Sequence, residues 1–259
     1  MDTAERDLLT DALRKALTSG ADLAELGWPD MLVEEPDAVV PLLFRLLGET
    51  GTHAPVLNDV VLHAAGRPLG GTPPLPYAGG AWLVWDRGGP AASAYAGPLD
   101  PALPLRRTEA GDPALPLAPG RRALGWWLLG TGHAMLALAR RHVLDREQFG
   151  RPLASFQALR HRLAETYVAL EGAEAVLTAA TDDTGSLLAK AAAGRAALTA
   201  ARHCGQALGG LGFTAEHDLH RHVRRALVLD GLLGSARELT REAGSSLLRE
   251  RRAPRLVDL

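Results

Sequence analysis

A chain of 259 residues with a formal net charge of −2 can bury a sizeable core as one large domain or two small ones, and its charge balance points to neither nucleic acid nor an anionic membrane surface. Its single cysteine, Cys204, excludes an internal disulfide framework and fits a reducing cytoplasm. That cysteine lies in an Ala-rich run, where it reads as a small buried hydrophobe.

The polar, acidic N-terminus lacks the pattern of a secretory signal. Residues 3–18 place Leu8, Leu9, Ala12, Leu13, Ala16 and Leu17 at helical spacing and predict an amphipathic helix. Asp22 to Leu26 predicts a short helical turn that ends at Gly27, with Pro29 beyond it. Two further helices are expected over 37–48 and 55–65, so residues 1–66 read as a helical module. The texture then breaks: 11 of the 17 prolines and 9 of the 28 glycines fall between Arg67 and Gly120, which no continuous helix accommodates. Ala81 to Trp85 has strand composition. Ala91–Ala96 and Leu103–Thr108 are further expected strands, with Gly88, Gly89 and Pro90 as a turn, giving a small β region over 67–120.

From Arg121 onward the pattern is helical. The first helix runs to about Arg146. Its apolar stretch, Ala123 to Ala139, falls short of the roughly 20 residues of a membrane span and contains Thr131, His133 and three glycines, so it reads as a buried bundle helix. The second runs from Ser155 to about Ala180, with Phe156, Leu159, Leu163, Tyr167, Leu170 and Leu177 facing inward. The third, Gly185 to Ala207, is rich in alanine and closed by Gly209 and Gly210. The fourth region, Glu216 to Glu250, carries a possible break at Gly231. Four helices with short connections over 121–259 predict an antiparallel bundle, and the whole chain is expected to be mainly α. The Ala-rich helix and the Trp126–Trp127 pair offer more apolar surface than one bundle hides, so the bundle is also the expected oligomer interface.

The junction Asp145 to Gln157 joins the first two bundle helices. Arg146, Gln148 and Phe149 sit where the first ends, Pro152 stops its continuation, and the Ser155 hydroxyl can cap the second. A cation, an amide and an aromatic ring there suit a flat anionic ligand such as a nucleotide; a surface turn with an anchoring Phe satisfies the same pattern. His217, His220 and His222 are close in sequence but lack a carboxylate or Cys partner set, so no metal site is read from the histidines.

Two longer motifs occur in order. Arg146 to Pro152 with Phe156, Gln157, Leu163 and Ala164 resembles the first signature of the acyl-CoA dehydrogenase family. Gln206 to Thr214, followed by Glu216, Leu219 to Arg221 and Arg224–Arg225, is similar to its second. The resemblance covers about Gly120 to Gly234 and is weaker over Leu23 to Pro29. It implies a helical domain, a β domain and a C-terminal four-helix bundle, the order already read along the chain. It also implies FAD as cofactor and α,β-dehydrogenation of an acyl-CoA or other acyl thioester. Arg146, Gln148, Phe149, Gln206, Gly209 and Gly210 match the positions that reach the nucleotide half of an FAD held mainly by a neighbouring subunit. The two glycines also suit a helix C-cap.

The resemblance has two departures. The position of the family's catalytic Glu falls on Asp230, one methylene shorter, followed by Gly231 and then Leu232 where a hydroxyl is usual. Asp230 reads as a base or, equally, as a shielded helix residue paired with Arg224 or Arg225. The β region, about half its usual length, has lost the motifs that hold the flavin ring. The resemblance therefore implies a shortened subunit working with a longer, flavin-holding partner chain. A minimal homo-oligomeric flavoenzyme, a flavin-free isomerase or lyase, and a purely structural partner are the other readings.

Overall fold

The computed structural model describes residues 2–87 and 100–251. Four helices open the chain: α1 (Thr3–Ser19), α2 (Trp28–Glu34), α3 (Pro36–Thr50) and α4 (Val56–Ala64). A three-stranded antiparallel sheet follows, β1 (Pro74–Tyr77), β2 (Ala81–Trp85) and β3 (Leu105–Thr108), in the order β1-β2-β3. The second half holds α5 (Ala118–Asp145), a two-residue strand pair β4 (Glu147–Gln148) and β5 (Arg151–Pro152), then α6 (Gln157–Ala179), α7 (Asp183–Leu208), α8 (Leu219–Gly231) and α9 (Ala236–Glu250). The mainly α prediction holds. The expected turn at Gly88–Pro90 and strand at Ala91–Ala96 lie outside the described residues.

Helix α5 is the axis of the molecule. It packs against α3 and α4 on one side and against α6, α7 and α8 on the other. Its approach to α3 is backbone to backbone. A methyl group on Gly130 would stand 2.1 Å from the Arg45 carbonyl oxygen, and one on Gly48 would stand 2.4 Å from the Thr131 nitrogen. Trp127 of α5 stacks on Trp85 of β2 at 5.5 Å and meets the edge of Phe44 of α3 at 5.7 Å, and all three rings are fully buried. One contiguous hydrophobic cluster runs through the N-terminal helices, the sheet and the bundle. Within the bundle α7 is innermost, because alanine on almost every face lets α5, α6, α8 and α9 approach it.

Several local expectations are corrected. Gly27 ends the helical turn before it, as expected: it is left-handed (φ 81°), its amide donates to the Ala24 carbonyl oxygen and that of Trp28 to the Leu23 carbonyl oxygen; what was not expected is that α2 starts at once, with Pro29 in its first turn, where its missing N–H is not needed. Ser155 does not cap α6. A short 3₁₀ turn over Leu153–Ser155 precedes that helix, and Phe156 takes the cap position without a side-chain bond. Pro152 belongs to β5 and stops no helix, α5 having already ended at Asp145. Tyr167 faces solvent, at 50% exposure, and not the core. Trp127 offers no apolar surface to a partner, since the N-terminal helices and the sheet cover it within the chain, whereas Trp126 keeps an edge on two surface clefts. The break expected at Gly231 is present: α8 ends there, and Leu233 (φ 56°) and Gly234 (φ 99°) turn the chain into α9.

That break is held by a buried lysine. Lys190 of α7 is fully buried and its Nζ donates to the carbonyl oxygens of Asp230, at 2.8 Å, and Gly234. Burial pushes its pKa down to about 7, against the pull of the Asp230 carboxylate. A neutral amine still has two N–H donors, one for each carbonyl. Because the folded-state pKa lies below the unfolded value, the unfolded chain binds the extra proton between about pH 7 and 10.5, and this group's contribution to stability rises across that window. Lys190→Met strands both carbonyls and is expected to lower stability by about 2–4 kcal/mol at pH 8 and to flatten the rise from pH 7 to 10. Urea unfolding at a series of pH values measures both; an unchanged slope with pH would show that Lys190 does not titrate there.

Candidate nucleotide cleft and the Asp230 loop

At its C-terminus α5 gives way to extended backbone at Arg146 (φ −86°, ψ 124°). The chain then reverses through β4 and β5, with Glu147 paired to Pro152 and Gln148 to Arg151. Phe149 and Gly150 form the two-residue turn, both at positive φ (55° and 74°), the handedness that suits the twist of a tight hairpin. The hairpin closes where the Leu153 amide donates to the Arg146 carbonyl oxygen at 2.8 Å. Phe149 is 90% exposed at the tip, its ring 6.1 Å from the Phe156 ring.

The hairpin faces the end of α7. Between them lies an open cleft of about 620 Å³ lined by Arg146, Gln148, Gln206, Gly209 and Gly210, together with His142 one turn before Arg146. The fold thus assembles five of the six residues read from the sequence as nucleotide-facing, and Phe149 projects beyond the cleft. Arg146 has no carboxylate partner among the described residues and is exposed. Gly209 adopts φ 61°, ψ −136°, a conformation open essentially to glycine alone, and no atom lies within 4 Å of where a Cβ would be on Gly209 or Gly210. Backbone that is bare on its outer side, next to an uncompensated guanidinium, fits the phosphate and ribose portion of a dinucleotide.

His142 was not singled out from the sequence. Its position four residues before Arg146 on a helix was the available signal. Burial depresses its pKa, aided by the nearby His217 and Arg146. The His142 and His217 rings meet edge to face at 6.5 Å.

Asp230 lies elsewhere. It is in the last turn of α8, against Gly194 of α7, about 18 Å along that helix from Gln206. Its Oδ1 accepts from the Ala236 amide at 3.0 Å, so a carboxylate sits at the N-terminus of α9 beside the Ser235–Glu238 capping box. The expected Arg225 partner is engaged otherwise: its Nε pairs with Asp100 at 2.5 Å and its Nη1 donates to the Thr52 carbonyl oxygen at 2.7 Å. The opposite charge beside Asp230 is Lys190. The backbone after it is covered from the sheet side. A methyl group on Gly231 would stand 2.4 Å from the Tyr77 ring, and Leu232, which bridges to Tyr77, is fully buried.

The fold and the two signatures agree with what known proteins show. Residues 114–243 match the acyl-CoA dehydrogenase C-terminal domain model, half of the chain, and the protein belongs to the acyl-CoA dehydrogenase family. It is 39% identical over 122 residues to the acyl-CoA dehydrogenase IpdE2 of Mycobacterium tuberculosis, covering 46% of this chain and 38% of that one. It is 36% identical over 197 residues to the acyl-CoA dehydrogenase FadE34 of the same organism, covering 66% of this chain and 27% of that one. The 3-sulfinopropanoyl-CoA desulfinase of Paraburkholderia xenovorans is 33% identical over 161 residues, 59% of this chain and 42% of that one. The chain therefore spans well under half the length of these relatives. Among solved structures, a variant of the Tcur3481-Tcur3483 steroid ACAD superposes with a TM-score of 0.68 at 20% identity, over 96% of this chain and 99% of that one.

The two glycines of the cleft separate a conformational from a spatial requirement. Gly209→Ala is expected to cost about 1–3 kcal/mol of stability through its backbone angles alone. Gly210→Ala, with open space and no positive φ, should stay within about 0.5 kcal/mol of the parent. Equal losses in urea denaturation would mean that a steric contact, and not φ, sets the requirement at Gly209.

Proposed function

We infer that this chain is a subunit of an FAD-dependent acyl-CoA dehydrogenase that carries out α,β-dehydrogenation of an acyl thioester together with a longer, flavin-holding chain. The observation that carries the reading is the convergence of Arg146, Gln148, Gln206, Gly209 and Gly210 on one open cleft with the guanidinium uncompensated. The chain's short span relative to the family members it matches supports it, as does the likeness to a solved steroid ACAD whose name joins two proteins. In this reading Arg146 neutralises phosphate charge, Gln148 and Gln206 supply amide donors and acceptors, and the glycine turn admits the nucleotide to the backbone. Phe149, exposed at the hairpin tip, packs near the adenine or against the neighbouring subunit. FAD, when bound, is the hydride acceptor of the reaction. The proton next to the thioester carbonyl is taken by a carboxylate of the partner chain, because Asp230 is committed to the α9 N-terminus and to Lys190. The single, buried Cys204 suits a cytoplasmic complex, and no helix among the described residues is long and apolar enough to cross a membrane.

A second reading has a specific observation behind it. A relative at 33% identity is named a desulfinase and not a dehydrogenase, so a repurposed reaction on an acyl thioester is the alternative.

A charge-assisted contact is worth about 1.5–3 kcal/mol, so Arg146→Ala is expected to weaken FAD binding to the co-expressed complex by about ten- to hundred-fold, with Gln206→Ala less affected. Asp230→Ala should leave turnover of the intact complex within a few-fold. Unchanged FAD affinity in both cleft variants, with the complex still assembled, would mean that these residues do not contact the cofactor and that the signatures persist only as packing. Loss of several orders of magnitude in Asp230→Ala, with folding and assembly intact, would restore Asp230 as the base.

A further inference from the structure

The histidine of interest lies outside the His217–His222 segment. His133, in the middle of α5, faces Glu171 and Glu174, one turn apart on α6, and one ligand atom from each of the three lies within 4.8 Å of the others. The group is only partly satisfied within the chain. His133 Nε2 is sealed from solvent and has no hydrogen-bond partner. Glu171 is exposed and, among the described residues, forms no ion pair. Glu174 gives Oε1 to Arg45 at 2.5 Å, which leaves its second oxygen free.

The fold brings the three together by steric means. Glycines at 125 and 132 of α5 receive the side chains of Leu177 and Leu170 of α6, each of which would lie within about 2.5 Å of an added methyl group. The two helices therefore run close enough for a histidine on one to meet carboxylates on the other.

Glu174 is paired with Arg45, whereas Glu171, which faces the ring from the same helix, forms no ion pair among the described residues. An orphaned ring nitrogen inside the protein is costly unless something binds it. A metal ion coordinated by the ring and by the facing carboxylates does so. Three atoms within 4.8 Å of one another share a centre no more than about 2.8 Å from each, which modest side-chain rotation shortens to the roughly 2.0–2.2 Å of zinc–nitrogen and zinc–oxygen bonds.

We propose that His133, Glu171 and Glu174 form a divalent metal site, of the kind that takes Zn²⁺ or a similar first-row transition ion, which ties α5 to α6. Mixed imidazole and carboxylate ligands suit such an ion better than Mg²⁺ or Ca²⁺, which prefer oxygen ligands alone. The exposed side of Glu171 leaves room for water to complete the coordination. The site is independent of the nucleotide cleft, and its role is structural: it clamps the helix that otherwise packs through one face only.

The test is calorimetric titration of the chelator-treated, full-length chain with Zn²⁺, paired with thermal unfolding with and without the ion, using Mg²⁺ as the control cation. One Zn²⁺ per chain is expected, with a higher Tm that EDTA reverses and no such response to Mg²⁺. His133→Gln and Glu171→Gln should each weaken binding by at least about tenfold, as loss of one of three ligands requires, and leave the metal-free Tm close to the parent's. Glu171 is exposed, so its variant keeps the test meaningful if the His133 variant folds poorly. A His217→Gln, His220→Gln double variant should bind Zn²⁺ as the parent does. Absence of saturable Zn²⁺ binding overturns the proposal, and so does parent-like affinity in the Glu171 variant.

Discussion

Three buried rings hold the three regions of the chain to one another. Phe44 belongs to the N-terminal helices, Trp85 to the sheet and Trp127 to the bundle, and their contact is where the three meet. Aromatic rings contribute large buried areas and prefer edge-to-face or offset geometry, so this node sets orientation as well as proximity. It works only because α3 and α5 touch backbone to backbone at Gly48 and Gly130. A side chain at either glycine would push the helices apart and withdraw Phe44 from Trp127. The short sheet is stable in this setting because its inner face is finished by α5; a sheet of three strands of four or five residues has little core of its own.

Around that apolar node the chain uses two buried polar ties where regular structure is interrupted. Arg225 of α8 reaches Asp100, at the edge of the sheet region, and the Thr52 carbonyl after α3, with both charged side chains almost fully buried. Breaking such a pair is far more damaging than its net contribution suggests, because the remaining charge is stranded. Lys190 does the equivalent at the α8–α9 break, replacing the helical donors that the carbonyls of Asp230 and Gly234 have lost. The two ties hold α8 at its middle and at its C-terminal end.

Much of this was legible from periodicity. Apart from α2, which was not foreseen, the helices of both halves fall within a few residues of the expected positions, since apolar spacing and glycine or proline punctuation are local signals. β1 was not foreseen because Pro74 and Pro76 argue against a strand; they are tolerated because β1 is an edge. The β4–β5 hairpin was hidden because its turn places Phe149, not Asn or Gly, at the first left-handed position. Of the site residues, Arg146, Gln148, Gln206, Gly209 and Gly210 were found through motifs whose halves lie some sixty residues apart, and the fold brings those halves to one cleft. His133 and Glu171 were beyond reach, because nothing local relates residues on two helices that meet only through their packing. Lys190 carried a usable signal, a lone ammonium in an alanine-rich helix of a chain whose other cations are nearly all arginines.

The two groups of residues that the family resemblance singles out are oriented in opposite ways within this chain. On the cleft side the polar groups point outward and are left unused by the fold: Arg146, Gln148 and Gln206 are exposed, and the glycine turn has open space over it. On the Asp230 side the groups are drawn inward. The carboxylate serves an N-terminus, the next carbonyls serve a lysine, and Tyr77 lies over Gly231. A carboxylate shortened by one methylene is well suited to capping a nearby helix and poorly suited to reaching a substrate across a cofactor. Exposed polar groups cost a folded chain little, so their presence alone would carry no weight. Gly209 is different: a backbone conformation open essentially to glycine is retained although no atom of the chain occupies the space beside it. The proposed function accounts for both: a ligand brought by a neighbouring subunit would need the outward-facing residues from this chain and nothing from the side that has closed.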